Sequence, residues 1–477
     1  MADLKKAVLI SVGEKYIVFV LQFVSSVVLA RILSPHEIGI FSIGSLVLSL
    51  SHALRDLGIS NYIIQEKELT PQRLQTAATI TLAMSWLLAV VALLVSGPVA
   101  AFYREEGVGQ VLVVLSLNFF ILPFGSVSAA LLRRKMQFGR LIRINLASAF
   151  THAAVGIGLC YHGVGFIGLA WAGVAGTVVS VVLTLLISER EVTARPALGE
   201  WRHVLQTGGR FAGASLLWEF GLSAPEMIVG KTMSVESAGY LGRAQGVVGL
   251  AYRSLMEGLM PVLMPFFAQS HRGGEDVLQH FLKSVRYLSA LSFPIFACMA
   301  VAMDAIVLLL YGEQWNGAVE PARILCAGMA ALSIGVTAGA AVGGMGHSEY
   351  ALRFQIVGQP VKFALILAGS LVALPQVALG VAAGDMFITA YTLLVLGRIL
   401  RFSAMQFVAA LLPSIFVTAC ASLACAAFRL AVPDAGPFNA VIGCVTSSAL
   451  GWAGGLWLTR HPIGDEVAAV VRRVARR

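Results

Sequence analysis

Charge is scarce in this chain. Asp, Glu, Lys and Arg make up 12% of its 477 residues, against 58% hydrophobic residues, where a soluble globule carries about 25% charged residues. That shortage excludes a soluble globular domain and leaves an integral membrane protein. Cysteine is sparse too. The six present, Cys160, Cys298, Cys326, Cys420, Cys425 and Cys444, fall within or at the edges of apolar segments, with no histidine at ligand spacing. They read as packing residues, which excludes a disulfide framework and a metal site. A small-x-small cleavage site is missing behind the N-terminal apolar run, which holds Glu14 and Lys15, so the first segment is expected to stay as a helix. The stretch "GVGFIG", 163–168, has the letters of a dinucleotide fingerprint but joins two hydrophobic helices, so no cofactor is expected. Long outer loops bearing acidic or basic constellations are also missing. No catalytic residue is assigned, and the chain does not read as an enzyme.

What the sequence has in abundance is apolar length. A membrane span needs roughly 20 mainly apolar residues to cross about 30 Å of hydrocarbon. Fourteen segments meet that scale, near 10–33, 38–60, 77–102, 109–132, 144–162, 164–188, 208–233, 239–265, 285–311, 319–345, 351–373, 376–397, 404–428 and 438–459. Barrel strands are about ten residues long and alternate polar with apolar, so these segments predict helices and an all-α membrane protein.

With both termini cytoplasmic, 25 of the 34 Lys and Arg fall on the inner side and six, Arg31, Arg104, Lys231, Arg243, Arg323 and Arg429, on the outer. The positive-inside rule favours that orientation. The net charge of +9 therefore lines one membrane face, where it meets anionic head groups, and does not point to nucleic acid. Its densest block is "RRKMQFGRLIR", 133–143.

The segment "RILSPHEIG", 31–39, has an echo in "KTMSVESAG", 231–239. At a constant offset of 200, Gly13 aligns with Gly213, Arg31 with Lys231, Ser34 with Ser234, Gly39 with Gly239 and Gly58 with Gly258. Six predicted spans separate the copies, an even number, so both enter the bilayer from the same side. That is a parallel repeat, with a binding site expected between its lobes near the midplane. The predicted domains are a first lobe at 1–203, a second at 204–402, two more spans at 403–459 and a basic cytoplasmic tail at 460–477. The cation and serine of the echo predict a capped span end, and its glycine a tight turn into the next span.

The stretches "LARILSPHEIGIFSIG", "DLGISNYIIQEKELTPQRLQTA" and "ALLRRKMQFGRLIRIN" resemble the polysaccharide-export branch of the multidrug/oligosaccharidyl-lipid/polysaccharide exporter superfamily. "GGRFAGASLLWEFGLSAPEMIVGKTMSVESAGYLGRAQ" is similar to the start of that family's second lobe. The resemblance covers roughly the whole length. It implies two six-helix lobes, two further C-terminal helices and alternating access. The implied function is a flippase for undecaprenyl-diphosphate-linked oligosaccharides in the bacterial inner membrane, acting with a polysaccharide polymerase and chain-length regulator. A lipid II flippase and a multidrug or cation antiporter are the related alternatives. Where relatives commonly carry Asp within the second-lobe helix and Arg at its end, this chain has Glu226 and Lys231.

Ionisable groups inside spans are the candidate site residues. Each costs at least about 2.5 kcal/mol at a helix centre on insertion scales, so such groups face a bundle interior or a wet cavity. A lipid diphosphate requires cations that replace water around its oxygens. Lys15, Arg210, Arg253 and Lys362 are the candidates, with snorkelling open for Lys15 and Arg210 and an i,i+4 pair with Glu257 open for Arg253. Glu14, Glu219, Glu226, Glu257 and Asp385 are candidate cavity or ion-coupling acids, with the holding of a neighbouring cation as the alternative. Glu219 and Glu226 are seven apart and share a helix face. Pro225 predicts a kink or unwinding there. Asp304 completes the set.

Overall fold

Apolar runs of this length must satisfy their backbone groups internally, and the helix is the open-chain way to do so. The structure, a computed structural model, describes residues 2–56, 59–66, 69–188, 197, 199, 201–347 and 349–464, and every regular element among them is helical. The chain divides into two compact units, Met1–Gly239 and Tyr240–Arg477.

The first unit contains α1 (Ala2–Ile32), α2 (Pro35–Asp56), α3 (Ile59–Gln65), α4 (Pro71–Tyr103), α5 (Glu106–Ile121), α6 (Pro123–Arg134), α7 (Phe138–Tyr161), α8 (Phe166–Ile187) and α9 (Trp201–Thr232), and the start of α10 (Val235–Arg272). Local chemistry sets these bounds. Thr70 accepts the Arg73 amide at 3.2 Å ahead of Pro71, which starts α4 earlier than the apolar run alone suggests. Pro123 lacks the donor that would continue α5, and α5 and α6 meet at 56° across Leu122. "GVGFIG" links α7 to α8, with Gly163 and Gly165 both at positive φ, so it is a helix connection as expected.

The second unit contains the rest of α10, then α11 (Val277–Val301), α12 (Met303–Leu310), a short 3-10 helix (Glu313–Ala318), α13 (Val319–Gly344), α14 (Glu349–Ser370), α15 (Leu374–Leu400), α16 (Ala404–Ala431) and α17 (Pro437–Thr459). The span predicted at 285–311 breaks at Ala302, and Asp304 lies in the first turn of α12, where a helix N-terminus favours an acid. Helices α13 and α14 both pack along α15, and α16 pairs with α17. A core of Phe267, Phe281, Val285, Ile334, Ala338 and Leu396 ties α10, α11, α13 and α15 together. All six cysteines are free thiols and five are buried. Cys298 Sγ lies 3.5 Å from Cys425 Sγ in a small apolar cluster with Cys444.

Among the described residues, nine helices are long and apolar enough to span a bilayer, or ten with α5 and α6 as one bent span. The predicted spans near 10–33, 38–60, 208–233 and 239–265 coincide with α1, α2, α9 and α10, parts of whose side chains lie outside the described set. Most of the tail predicted at 460–477 lies outside it as well. Three helices, α4, α15 and α17, end on an arginine in the left-handed conformation: Arg104, Arg401 and Arg460.

The end of α17 is held by a buried polar chain. The Ile463 amide donates to His461 Nδ1 at 3.3 Å, which leaves the proton on Nε2, 3.4 Å from Ser414 Oγ. Ser414 donates to the Arg286 carbonyl and accepts from Ser289. Burial, with Arg286 nearby, holds the His461 pKa below its ordinary 6.5. The unfolded chain therefore binds the proton more readily, and stability falls as pH drops below the ordinary imidazole value. The thermal midpoint in detergent should fall from pH 7.5 to pH 5, and His461→Gln should remove that part of the slope.

Candidate functional site

The hairpin of α14 and α15 is where two candidate residues meet. Lys362 is near the middle of α14 and Asp385 near the middle of α15, at similar distances from the turn at 371–373. The two helices approach closely because glycines face backbone or stem atoms at successive levels. A Cβ on Gly380 would lie 2.6 Å from the Leu365 carbonyl oxygen, and one on Gly384 would lie 2.6 Å from Lys362 Cβ. This is the small-residue packing by which membrane helices come together. Lys362 Nζ donates to Asp385 Oδ1 at 2.6 Å, with the lysine side chain 12% and the carboxylate side chain 6% exposed. In so dry a place the ion pair is the condition under which both charges persist. Tyr252 of α10 lies within electrostatic reach of Asp385, a neighbour that no spacing in the sequence indicates.

The other candidates are placed differently. Arg253 is exposed, with its Nε 3.4 Å from the Gly249 carbonyl of its own helix. The side chains of Lys15, Arg210, Glu14 and Glu257 lie outside the described residues, and with them the expected Arg253–Glu257 pair. Glu219 and Glu226 are partly buried on α9, and Glu226 is engaged with a neighbour. Of the kink or unwinding expected at Pro225, the unwinding does not occur: α9 is helical from Trp201 through Thr232. A proline removes one backbone donor, and the turns on either side carry the helix past it.

Asp304 belongs to a cluster that sequence reading left unassembled. Arg429 Nη2 donates to Asp304 Oδ2, Arg323 Nη2 lies 3.9 Å from Oδ1, and Arg323 Nε donates to the Ala300 carbonyl at 2.9 Å. Three helix ends thus meet on one carboxylate. The shared signal was the assignment of Arg323 and Arg429 to the same membrane side. Part of the basic block at 133–143 is structural: Arg134 donates to the carbonyls of Ile63 at 2.6 Å and Glu66 at 2.5 Å, closing the C-terminus of α3. Arg243 lies over the rings of Trp315 at 5.5 Å and Tyr311 at 5.7 Å.

The echo at offset 200 has a physical counterpart inside the first unit. The start of α2 lies against the start of α10, and a Cβ on Gly39 would enter the Val235 carbonyl while one on Gly239 would enter the Pro35 carbonyl. Pro35 and Val235 are themselves equivalent at that offset, so the contact is reciprocal. The expected roles of the motif change accordingly. Ser34 accepts the Glu37 amide at 3.3 Å and Ser234 the Ser237 amide at 3.0 Å, so each serine caps the helix that follows, with Glu37 completing a capping box. The glycines sit inside helices and serve close approach, not a turn. The cation of the second copy, Lys231, donates to the Phe102 carbonyl at 2.5 Å and lies 4.2 Å from the Phe102 ring centroid.

Among the described residues, no group of three or more His, Cys, Asp or Glu is placed to hold a metal ion. Among the described residues the geometry offers the buried, paired Lys362 and Asp385 in a span hairpin, with Arg253 and Tyr252 on α10 in the same unit.

Solved structures give the fold a setting. The lipid II flippase MurJ in its inward closed conformation superposes with a TM-score of 0.78 at 12% identity, covering 95% of this chain and 100% of that one. An inward-facing multidrug resistance MATE family transporter of the MOP superfamily gives 0.63 at 14% identity, over 80% and 94% of the two chains. Among curated relatives, the lipopolysaccharide biosynthesis protein WzxC of Escherichia coli (strain K12) is 24% identical over 71% of this chain and 70% of its own. The succinoglycan biosynthesis transport protein ExoT of Rhizobium meliloti (strain 1021) is 22% identical over 64% of this chain and 62% of its own. A family model described as polysaccharide biosynthesis protein matches residues 28–320, well over half of the chain, and the chain belongs to that family.

Proposed function

We propose that this protein is a flippase that moves undecaprenyl-diphosphate-linked oligosaccharide repeat units from the cytoplasmic to the periplasmic leaflet by alternating access, for exopolysaccharide, capsule or O-antigen synthesis. The observation that carries the reading is the buried Lys362–Asp385 pair in a span hairpin of a chain whose relatives are named for lipopolysaccharide biosynthesis and succinoglycan transport. A cation kept charged in a dry span is matched to an anionic cargo: phosphate oxygens exchange with the carboxylate as Lys362's acceptor, and Asp385 takes the lysine back once the head group leaves. Arg253, Lys15 and Arg210 are the further diphosphate cations. Glu14, Glu219, Glu226 and Glu257 are the acids proposed to take a coupling proton or sodium.

The reading includes fourteen spans, lobes at 1–203 and 204–402, two additional C-terminal spans and both termini in the cytoplasm of a bacterium with this protein in its inner membrane. The polyprenyl tail stays in lipid along the last two helices, beside an apolar cavity of about 360 Å³ lined by Leu291, Ile295, Met299, Val441, Val445 and Trp452. A polysaccharide polymerase and a chain-length regulator are the proposed partners.

Deletion of the gene tests the assignment. Undecaprenyl-linked repeat units should accumulate on the cytoplasmic side while glycan export stops. Unchanged glycan export with altered dye or cation efflux would move the protein to the antiporter class, and trapped lipid II would move it to the peptidoglycan branch.

A further inference from the structure

A second apolar cavity, of about 440 Å³, lies between α11, α13 and α16, on the face of α11 opposite the one just described. Its walls are Phe293, Phe296, Ala297 and Ala300 of α11, several alanines of α13, and Ile415 and Thr418 of α16, and its one charged lining residue is Arg323. The alanines leave the space. Arg323 and Ala331, both lining residues, are about 12 Å apart along α13 at 1.5 Å per residue. Between Arg323 and the end of α13 at Gly344 there are about 32 Å of helix, close to the hydrocarbon thickness of a bilayer. The guanidinium therefore stands at head-group level, and the cavity runs from it into the apolar layer.

Charge decides what fits. The Arg323 side chain is 48% exposed, its Nε donor is taken by the Ala300 carbonyl, and Asp304, its ion-pair partner at 3.9 Å, is also bound by Arg429. Two guanidiniums share the Asp304 carboxylate, and Arg323 is the one that lines the apolar slot. That matches a singly charged phosphodiester with a hydrocarbon chain below it better than a diphosphate, which calls for two cations.

We infer that the crevice between α11, α13 and α16 holds one acyl chain of an anionic phospholipid whose phosphate rests on Arg323. The bound lipid fills the crevice that α13 and α16 leave between them over α11, and adds to the direct packing of α16 on α11. This site is separate from the transported cargo and does not depend on which cargo is carried.

The test uses the full chain purified in detergent and titrated with phosphatidylglycerol or with phosphatidylcholine of the same acyl chains. Phosphatidylglycerol should raise the thermal midpoint by several degrees more than phosphatidylcholine, and native mass spectrometry should show one retained phosphatidylglycerol. Arg323→Gln should abolish the difference between the two lipids, and Arg323→Lys should keep most of it. Ala327→Phe, which fills the crevice and leaves the arginine in place, should abolish retention and raise the lipid-free midpoint or leave it unchanged. Equal shifts with the two lipids in the wild type would overturn the proposal. So would phosphatidylglycerol retention that survives Ala327→Phe, which would mark a head-group contact without a chain site. Displacement of the retained lipid by polyprenyl diphosphate at equimolar concentration would also overturn it, by assigning the crevice to the cargo.

Discussion

In cells carrying Lys362→Met, glycan export falls by at least about tenfold, and the purified protein melts earlier, because the Asp385 carboxylate keeps its burial and loses its cation. Removing one partner of a buried pair costs about 3–5 kcal/mol, whereas replacing both with apolar residues of similar volume is near neutral. Lys362→Met combined with Asp385→Leu should therefore recover the thermal midpoint. Export should not recover with it if Lys362 meets the phosphate. Recovery of both in the double variant would reduce the pair to a fastener of the α14–α15 hairpin and remove Lys362 from the diphosphate site. Measuring membrane protein level alongside export keeps a folding defect from passing as a transport defect.

Gly239→Leu should have an effect of the same order. At this position even a Cβ would occupy the space of the Pro35 carbonyl, and at Gly39 that of the Val235 carbonyl. Forcing larger groups into such a contact costs about 1–3 kcal/mol where the neighbours can yield and more where they are backbone. The start of α2 then cannot lie against the start of α10. A cysteine placed at Pro35, which is buried in the present arrangement, should react with a maleimide several-fold faster in the Gly239→Leu background, and export should be lost. The reciprocal change Gly39→Leu should give the same phenotype, since each glycine receives the other helix. Unchanged labelling in both backgrounds would show that the close approach at Gly39 and Gly239 is not what buries Pro35.

Much of this is legible in the sequence. Apolar length gave the helices, and the constant offset of 200 marked two segments that prove to touch. Lys362 and Asp385 both read as charges inside spans, but a separation of 23 positions hides their partnership. It follows once the turn at 371–373 folds α14 onto α15, and Gly380 and Gly384, four apart, were the visible sign of a close hairpin. The motif's serines and glycines act differently in space from what their spacing suggests, because a cap and a close approach use the same residues as a helix stop and a turn. Only neighbours in space distinguish them, and those neighbours lie two hundred residues away. The Asp304 cluster escaped for the same reason, since its three members come from three helix ends.

Arg104, Arg401 and Arg460 carry a last consequence. A left-handed residue is ordinarily glycine, and an L-residue there accepts a local penalty of about 1–2 kcal/mol. At Arg104 and Arg460 the backbone amide closes onto the last carbonyls of the helix, and a guanidinium at a membrane helix end favours the head groups. Helices α4, α15 and α17 are thereby moored at a fixed depth, so a rearrangement of this protein has to tilt or slide them sideways and cannot plunge them through the leaflet.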